Sequence, residues 1–189
     1  MKRKRVYLPV ILLFLCLSFF TFKYVQSVQE DRSDWRSFLN RFYYSVDDAI
    51  FELDYLLSKD ISEDRLGDRI RELERDLLKS QYIYENAKSY IDSSLYGSFL
   101  FEEAAGILYG LQSSGTVDVD LARFDQDGRL DADEKKLLTT IREDLDEIRE
   151  EMHANEPGKP NPDLTVEQLN EGTKFILSKN RLDIYRDTF

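Results

Sequence analysis

The chain has 189 residues, 42% hydrophobic, 33% charged and 13% aromatic, which is too rich in core-forming side chains for disorder and suits one domain with an appendage. Eight Gly and four Pro are too few for the turns of an all-β sandwich and favour long helices. A net charge of −11 argues against nucleic acid as a partner, one Cys excludes an internal disulfide framework, and one His excludes a His-rich metal site.

Lys2, Arg3, Lys4 and Arg5 form a basic tail (residues 1–5) ahead of an uncharged, mostly apolar run over residues 6–22. Lys23 interrupts the run, and residues 24–28 continue it without charge. A bilayer core of ~30 Å needs about 20 residues at 1.5 Å each, so residues 6–28 are long enough to span it, with Lys23 snorkelling. Removing the four tail charges from −11 leaves −15, and this asymmetry places the N-terminus in the cytoplasm and the body outside. The expectation is a single-pass anchor. The alternative is a cleaved signal peptide, against which stand the length of the run and its bulky Phe14, Phe19, Phe20 and Phe22. Leu13-Phe14-Leu15 lacks the small residue that lipoprotein processing at Cys16 expects.

The exported body, residues 29–153, reads as an antiparallel bundle of about four helices. From residue 34 to about 58, Trp35, Leu39, Phe42, Val46, Ala49, Leu53 and Leu56 recur at steps of four and three, a coiled-coil-like seam over three heptads, with Ser33 as the expected cap. A second helix begins after Ser62 and keeps the seam through Leu66, Ile70, Leu73, Leu77, Tyr84, Ala87 and Ile91, with Ser80 as its one polar position. Asp68 with Arg71 and Glu72 with Arg75 are expected ion pairs on its solvated face. A third helix is expected over residues 95–112, with Gly106 and Gly110 as a tight packing seam. The fourth ends near Met152 on a seam of Leu138, Ile141, Leu145 and Ile148. Residues 154–164 contain three of the four prolines and read as a linker. Thr165 with Gln168 forms a capping box for a short helix to about Ser178 within the C-terminal helix and tail, residues 165–189. The fold class is all-α.

Residues 123–134 resemble an EF-hand calcium loop. With Gly128 at position six, the resemblance puts Asp125 and Asp127 at positions three and five. The Arg129 carbonyl falls at seven, Asp131 at nine and Glu134 at twelve, with Leu130 as the aliphatic at eight. The metal implied is Ca²⁺, which requires six to eight oxygens, a turn-forming glycine and a bidentate Glu. Position one, normally Asp, is Arg123, a cation where an oxygen ligand belongs; Asp118 or Asp120 replaces it only if the preceding segment bends back. The rival account needs no ion. In it, Asp127-Gly128 is a turn, and Asp131 with Glu134 caps the fourth helix.

His153 is expected to interact with the C-terminal end of helix four. Tyr82, Tyr84, Tyr90, Tyr96 and Tyr109 are expected to fill the core, the alternative being a groove for a glycan or peptide, and Glu102-Glu103 and Glu150-Glu151 are expected to form solvated faces. The functional expectation is a membrane-anchored, non-enzymatic interaction protein of a bacterial cell envelope, without a cofactor. Its partners are the bilayer and either another envelope protein or its own copy. The alternative is a calcium-responsive module built on the 123–134 loop.

Overall fold

The computed structural model describes residues 4–58, 61–110, 121–154 and 158–189. The protein is all-helical: α1 (Lys4–Ser58), α2 (Glu63–Tyr90), α3 (Phe99–Ile107), α4 (Ala132–Glu151), α5 (Val166–Leu177) and α6 (Arg181–Thr188). No strand occurs among the described residues, and the chain divides into two compact units, Met1–Ser37 and Phe38–Phe189.

In the first unit, α1 is long and apolar enough to cross a membrane by length and composition. Leu12, Leu13, Phe14, Leu15, Leu17, Phe19, Phe20 and Phe22 are all exposed, as an apolar segment without a protein partner is. Ser33, expected to cap a separate helix, lies inside α1. No Gly or Pro occurs between Pro9 and Gly67, so nothing in the sequence interrupts the helix there.

The second unit is built on the predicted seams. Leu39, Phe42, Val46, Ala49, Leu53 and Leu56 of α1 are at most 1% exposed, and Leu66, Ile70, Leu73, Leu77, Tyr84 and Ala87 of α2 are buried with them. The expected end positions of the two seams differ, since Trp35 is only half-buried and Ile91, the C-cap of α2, is exposed. Phe42 joins three helices: its ring lies 5.1 Å from Tyr84 of α2 and 5.8 Å from Phe101 of α3. Ser80 is buried without penalty because its hydroxyl donates to the Asp76 carbonyl at 3.0 Å. Helix direction follows from the ion pairs. Asp48 meets Lys79 and Glu52 meets Arg69, so α2 runs antiparallel to α1; Asp47 meets Arg149 and Asp54 meets Arg142, so α4 does too. Of the two pairs expected on α2, Asp68–Arg71 forms, whereas Glu72 turns to Arg69.

Three expectations change in detail. α3 is shorter than 95–112 at both ends: Asp92 closes a turn on Ser94 and the chain re-enters helix only at Phe99, and it leaves the helix after Ile107; residues 111 and 112 lie outside the described residues. The two glycines serve different ends. A Cβ at Gly106 would stand 2.6 Å from the Arg181 guanidinium of α6, while Gly110 lies in the turn beyond α3 with φ +92°, where a Cβ would lie 2.5 Å from the Leu121 carbonyl oxygen. The proline-rich stretch belongs to the same unit as the bundle. His153 bridges to Pro160, Ala154 N–H donates to the Lys159 carbonyl at 3.0 Å, and Asn161 N–H donates to the Met152 carbonyl at 2.8 Å.

Past the expected α5, the tail forms α6. Asn180 accepts from the N–H groups of Leu182 and Asp183, and Asp183 accepts from the Asn180 N–H, a second capping box. Both α5 and α6 pack on α3 and α4. Ile184 is fully buried, Lys179 pairs with Asp144 and Asp187 at 2.7 Å each, and Arg181 pairs with Glu103 at 2.6 Å.

Candidate functional site

The calcium-loop residues sit between α3 and α4 on the first turns of α2. Phe124 is completely buried and its N–H donates to the Leu108 carbonyl at 3.2 Å, which pins the loop to the end of α3. Gly128 has φ +75°, the left-handed conformation that favours glycine, and a Cβ there would lie 2.2 Å from the Glu63 side chain. That close approach, as well as the turn, accounts for the glycine.

The expected ligands have partners within the chain. Asp125 is held by the arginine at position one: Arg123 Nε and Nη2 donate to its two carboxylate oxygens at 2.5 and 3.1 Å. The same guanidinium lies 5.0 Å from the Tyr109 ring. Asp127 accepts from the Arg129 N–H at 3.2 Å, closing the turn, and the Arg129 side chain is exposed. Asp131 is the N-cap of α4 and accepts from the N–H groups of Asp133 and Glu134 at 2.8 Å each. Glu134 accepts from the Asp131 N–H at 2.8 Å, completing a capping box. Glu134 is 6% exposed, and burial pushes its carboxyl up to about 7 against the favourable hydrogen bond from Asp131. Among the described residues no three His, Cys, Asp or Glu side chains are grouped so that they could hold a metal ion. Asp118 and Asp120 lie outside the described residues, and residues 121–123, which lead into the loop, are not helical.

His153 follows the C-cap of α4, Met152. Its Nδ1 lies 3.1 Å from the Arg149 carbonyl oxygen and its Nε2 lies 3.4 Å from the Gly158 nitrogen. The buried Tyr43 hydroxyl reaches the same ring at 3.5 Å. His153 thus joins the end of α4, the following turn and α1, a structural use of the residue.

Of the five tyrosines expected in the core, only Tyr84 is there. Tyr82, Tyr90, Tyr96 and Tyr109 are 69%, 85%, 51% and 44% exposed. Glu102, Glu150 and Glu151 are exposed, as a solvated face requires, while Glu103 is half-buried and engaged by Arg181.

The outer face of α1 carries a feature that the core seams do not include. Tyr44 and Phe51, seven residues apart, are 48% and 66% exposed, and the C-terminal part of that face forms an open groove of about 440 Å³ lined by Phe51, Asp54, Tyr55, Leu57 and Ser58. Ion pairs flank this ridge on both sides: Asp48–Lys79 and Glu52–Arg69 toward α2, Asp47–Arg149 and Asp54–Arg142 toward α4. Its signal in the sequence is a second seven-residue spacing, out of phase with the core seam. No protein-family model, curated protein or solved structure matches the chain.

Proposed function

We propose that the protein is a membrane-anchored, extracytoplasmic helical bundle of a bacterial cell envelope that works by binding protein rather than by catalysis. The observation that carries this reading is the α1 ridge. Tyr44 and Phe51 leave large apolar rings in water beside a groove, while the charges around them are neutralised in pairs. A ridge of aromatic anchors rimmed by ion-paired side chains is an arrangement that protein interfaces use. The partner is another envelope protein or a second copy of the chain. The anchor and its orientation rest on the exposed apolar segment and the basic residues before it.

A photoreactive amino acid at position 51, in cells expressing the full chain, tests the interaction. The expected outcome is a discrete protein adduct that Tyr44→Ser abolishes; the adduct's mass separates self-association from a second protein. Crosslinking to lipid or water alone defeats the reading. Protease added outside intact cells tests the orientation, and a body that survives while external controls are digested reverses it.

The calcium-responsive alternative has weaker support, because Asp125, Asp131 and Glu134 are already engaged within the chain. Calorimetry of the chain against millimolar Ca²⁺, with an Asp127→Ala/Glu134→Ala control, is expected to give no heat that the control lacks.

A further inference from the structure

The turn between α2 and α3 carries a second exposed apolar group. Tyr90, Ile91 and Tyr96 are 85%, 38% and 51% exposed within seven residues of chain. The turn is tightly held. Ile91 and Asp92 N–H groups donate to the Ala87 carbonyl at 2.8 and 3.0 Å, and Asp92 Oδ1 accepts from the N–H and hydroxyl of Ser94 at 2.9 and 2.6 Å. Leu95 is buried inward, and Asn170 of α5 ties the turn down through the Tyr96 N–H and the Ser94 carbonyl, at 3.2 and 2.9 Å. The rings are therefore presented outward by fixed backbone. In a chain that is 33% charged, Asp92 is the one charged residue from 89 to 99.

Its place in the bundle gives the turn a candidate partner. Tyr84 packs on Phe38 and Phe42, with ring centroids 6.0 and 5.1 Å away, and α2 continues from that level to Tyr90. The turn thus lies at the end of the bundle where Phe38, the first residue of this unit, is found. Residues 29–37 are all that separate Phe38 from the apolar run ending at Val28, a reach of at most about 35 Å even fully extended.

We propose that the Tyr90–Tyr96 turn is a lipid-contacting surface that seats in the headgroup layer of the membrane holding the anchor. Tyrosine favours that layer because its ring is apolar and its hydroxyl remains hydrated. A chain carrying −15 beyond its basic tail is repelled by anionic lipid, so a nearly uncharged tip is the part suited to approach. The short tether raises the local concentration of the tip at the surface, so weak individual contacts suffice. The proposal rests on the membrane-anchor reading above.

The test uses the full chain with Trp35→Phe, reconstituted in phosphatidylcholine vesicles containing brominated lipid. Tryptophan is placed at position 90, 96 or 51 in turn, all exposed sites where the fold tolerates it. The expected result is that the vesicles float with the protein, that Tyr90→Trp and Tyr96→Trp lose emission to the bromines and shift to shorter wavelength, and that Phe51→Trp is not quenched by the bromines. Floating protein with water-like emission at 90 and 96 overturns the proposal. So does a blue shift at those positions that brominated lipid does not quench and that vanishes as protein is diluted in lipid, which assigns the surface to a second copy. Protein that fails to float removes the anchor reading and this proposal with it.

Discussion

Tyr84 contributes a large ring to the centre of the body, against Phe38 and Phe42, yet its hydroxyl is buried without a hydrogen-bond partner among the described residues. Burial pushes its phenol well above the ordinary tyrosine range, so the group remains neutral. A buried hydroxyl left unpaired costs about 1–3 kcal/mol relative to one that is satisfied, whereas the ring is worth about 3–5 kcal/mol against alanine. Tyr84→Phe is therefore expected to be neutral or to stabilise by up to about 1 kcal/mol, raising the melting temperature by a few degrees, while Tyr84→Ala unfolds or severely destabilises the body. Loss of stability in Tyr84→Phe would show that the hydroxyl has a partner, such as an internal water. The sequence distinguishes Tyr84 from its neighbours less by being tyrosine than by its register: it falls on the seam of Leu66, Ile70, Leu73 and Leu77, whereas Tyr82 and Tyr90 do not. The expectation that all five tyrosines fill the core gave residue type more weight than periodicity, and periodicity is the better guide.

At the scale of elements, periodicity and capping made the body half of α1 and all of α2, α4 and α5 legible, because each sets an apolar stripe against a charged face and the last two begin at capping boxes, whereas the continuity of α1 through Ser33 was not. α6 was missed although its signal was present: Asn180 and Asp183 have the same cap-to-N3 spacing as Thr165 and Gln168. It is short, and its single buried residue, Ile184, gives no stripe to detect. What holds it is long-range and therefore invisible to a local pattern: Arg181 on Glu103, Lys179 on Asp144, and Thr188 on Thr140 at 2.8 Å. The same limit applies to the calcium loop, where composition was readable but the capture of Asp125 by Arg123 and the approach of Glu63 to Gly128 required the fold. The α3–α6 contact gives a prediction whose sign depends on this geometry. Alanine in place of a helical glycine normally gains about 0.5–1 kcal/mol. At Gly106 the new methyl meets the Arg181 guanidinium, itself held by Glu103, so Gly106→Ala is expected to be neutral or destabilising in the native chain and stabilising by about 0.5–1 kcal/mol in an Arg181→Ala background. Denaturant titration of the four proteins of that cycle measures the coupling; equal effects in both backgrounds would place Arg181 away from α3.

Across the whole molecule, the buried carboxyl groups shift in one direction. Glu52, Asp76, Glu134 and Asp144 are all less than a tenth exposed, and burial is the main cause that raises each, outweighing Arg69 at Glu52, Arg75 at Asp76 and Lys179 at Asp144. An acid whose folded pKa exceeds its unfolded value binds its proton more tightly in the native state. Its contribution is fully present below the unfolded pKa and is lost as pH rises through the folded pKa. For Glu134 that window runs from 4.5 to about 7. The net charge of −11 acts in the same sense, since protonating surface carboxylates relieves self-repulsion. The body is therefore expected to be more stable at pH 5 than at pH 8, with the urea midpoint falling as pH rises, the reverse of a protein whose carboxylates are stabilised by ion pairs. Glu134→Gln retains a side chain that can accept the Asp131 N–H, so it preserves the capping box while removing the titration. It is expected to raise stability at pH 8 by about 1–3 kcal/mol and to flatten the slope between pH 5 and 7. A midpoint that instead rises with pH, and a Glu134→Gln protein weakened at pH 8, would mean that the ionised carboxylate is favoured in the folded state. The nearest source of such stabilisation is a cation bound by the 123–134 loop, so the same titration repeated with Ca²⁺ and with a chelator separates a capped turn from a metal site.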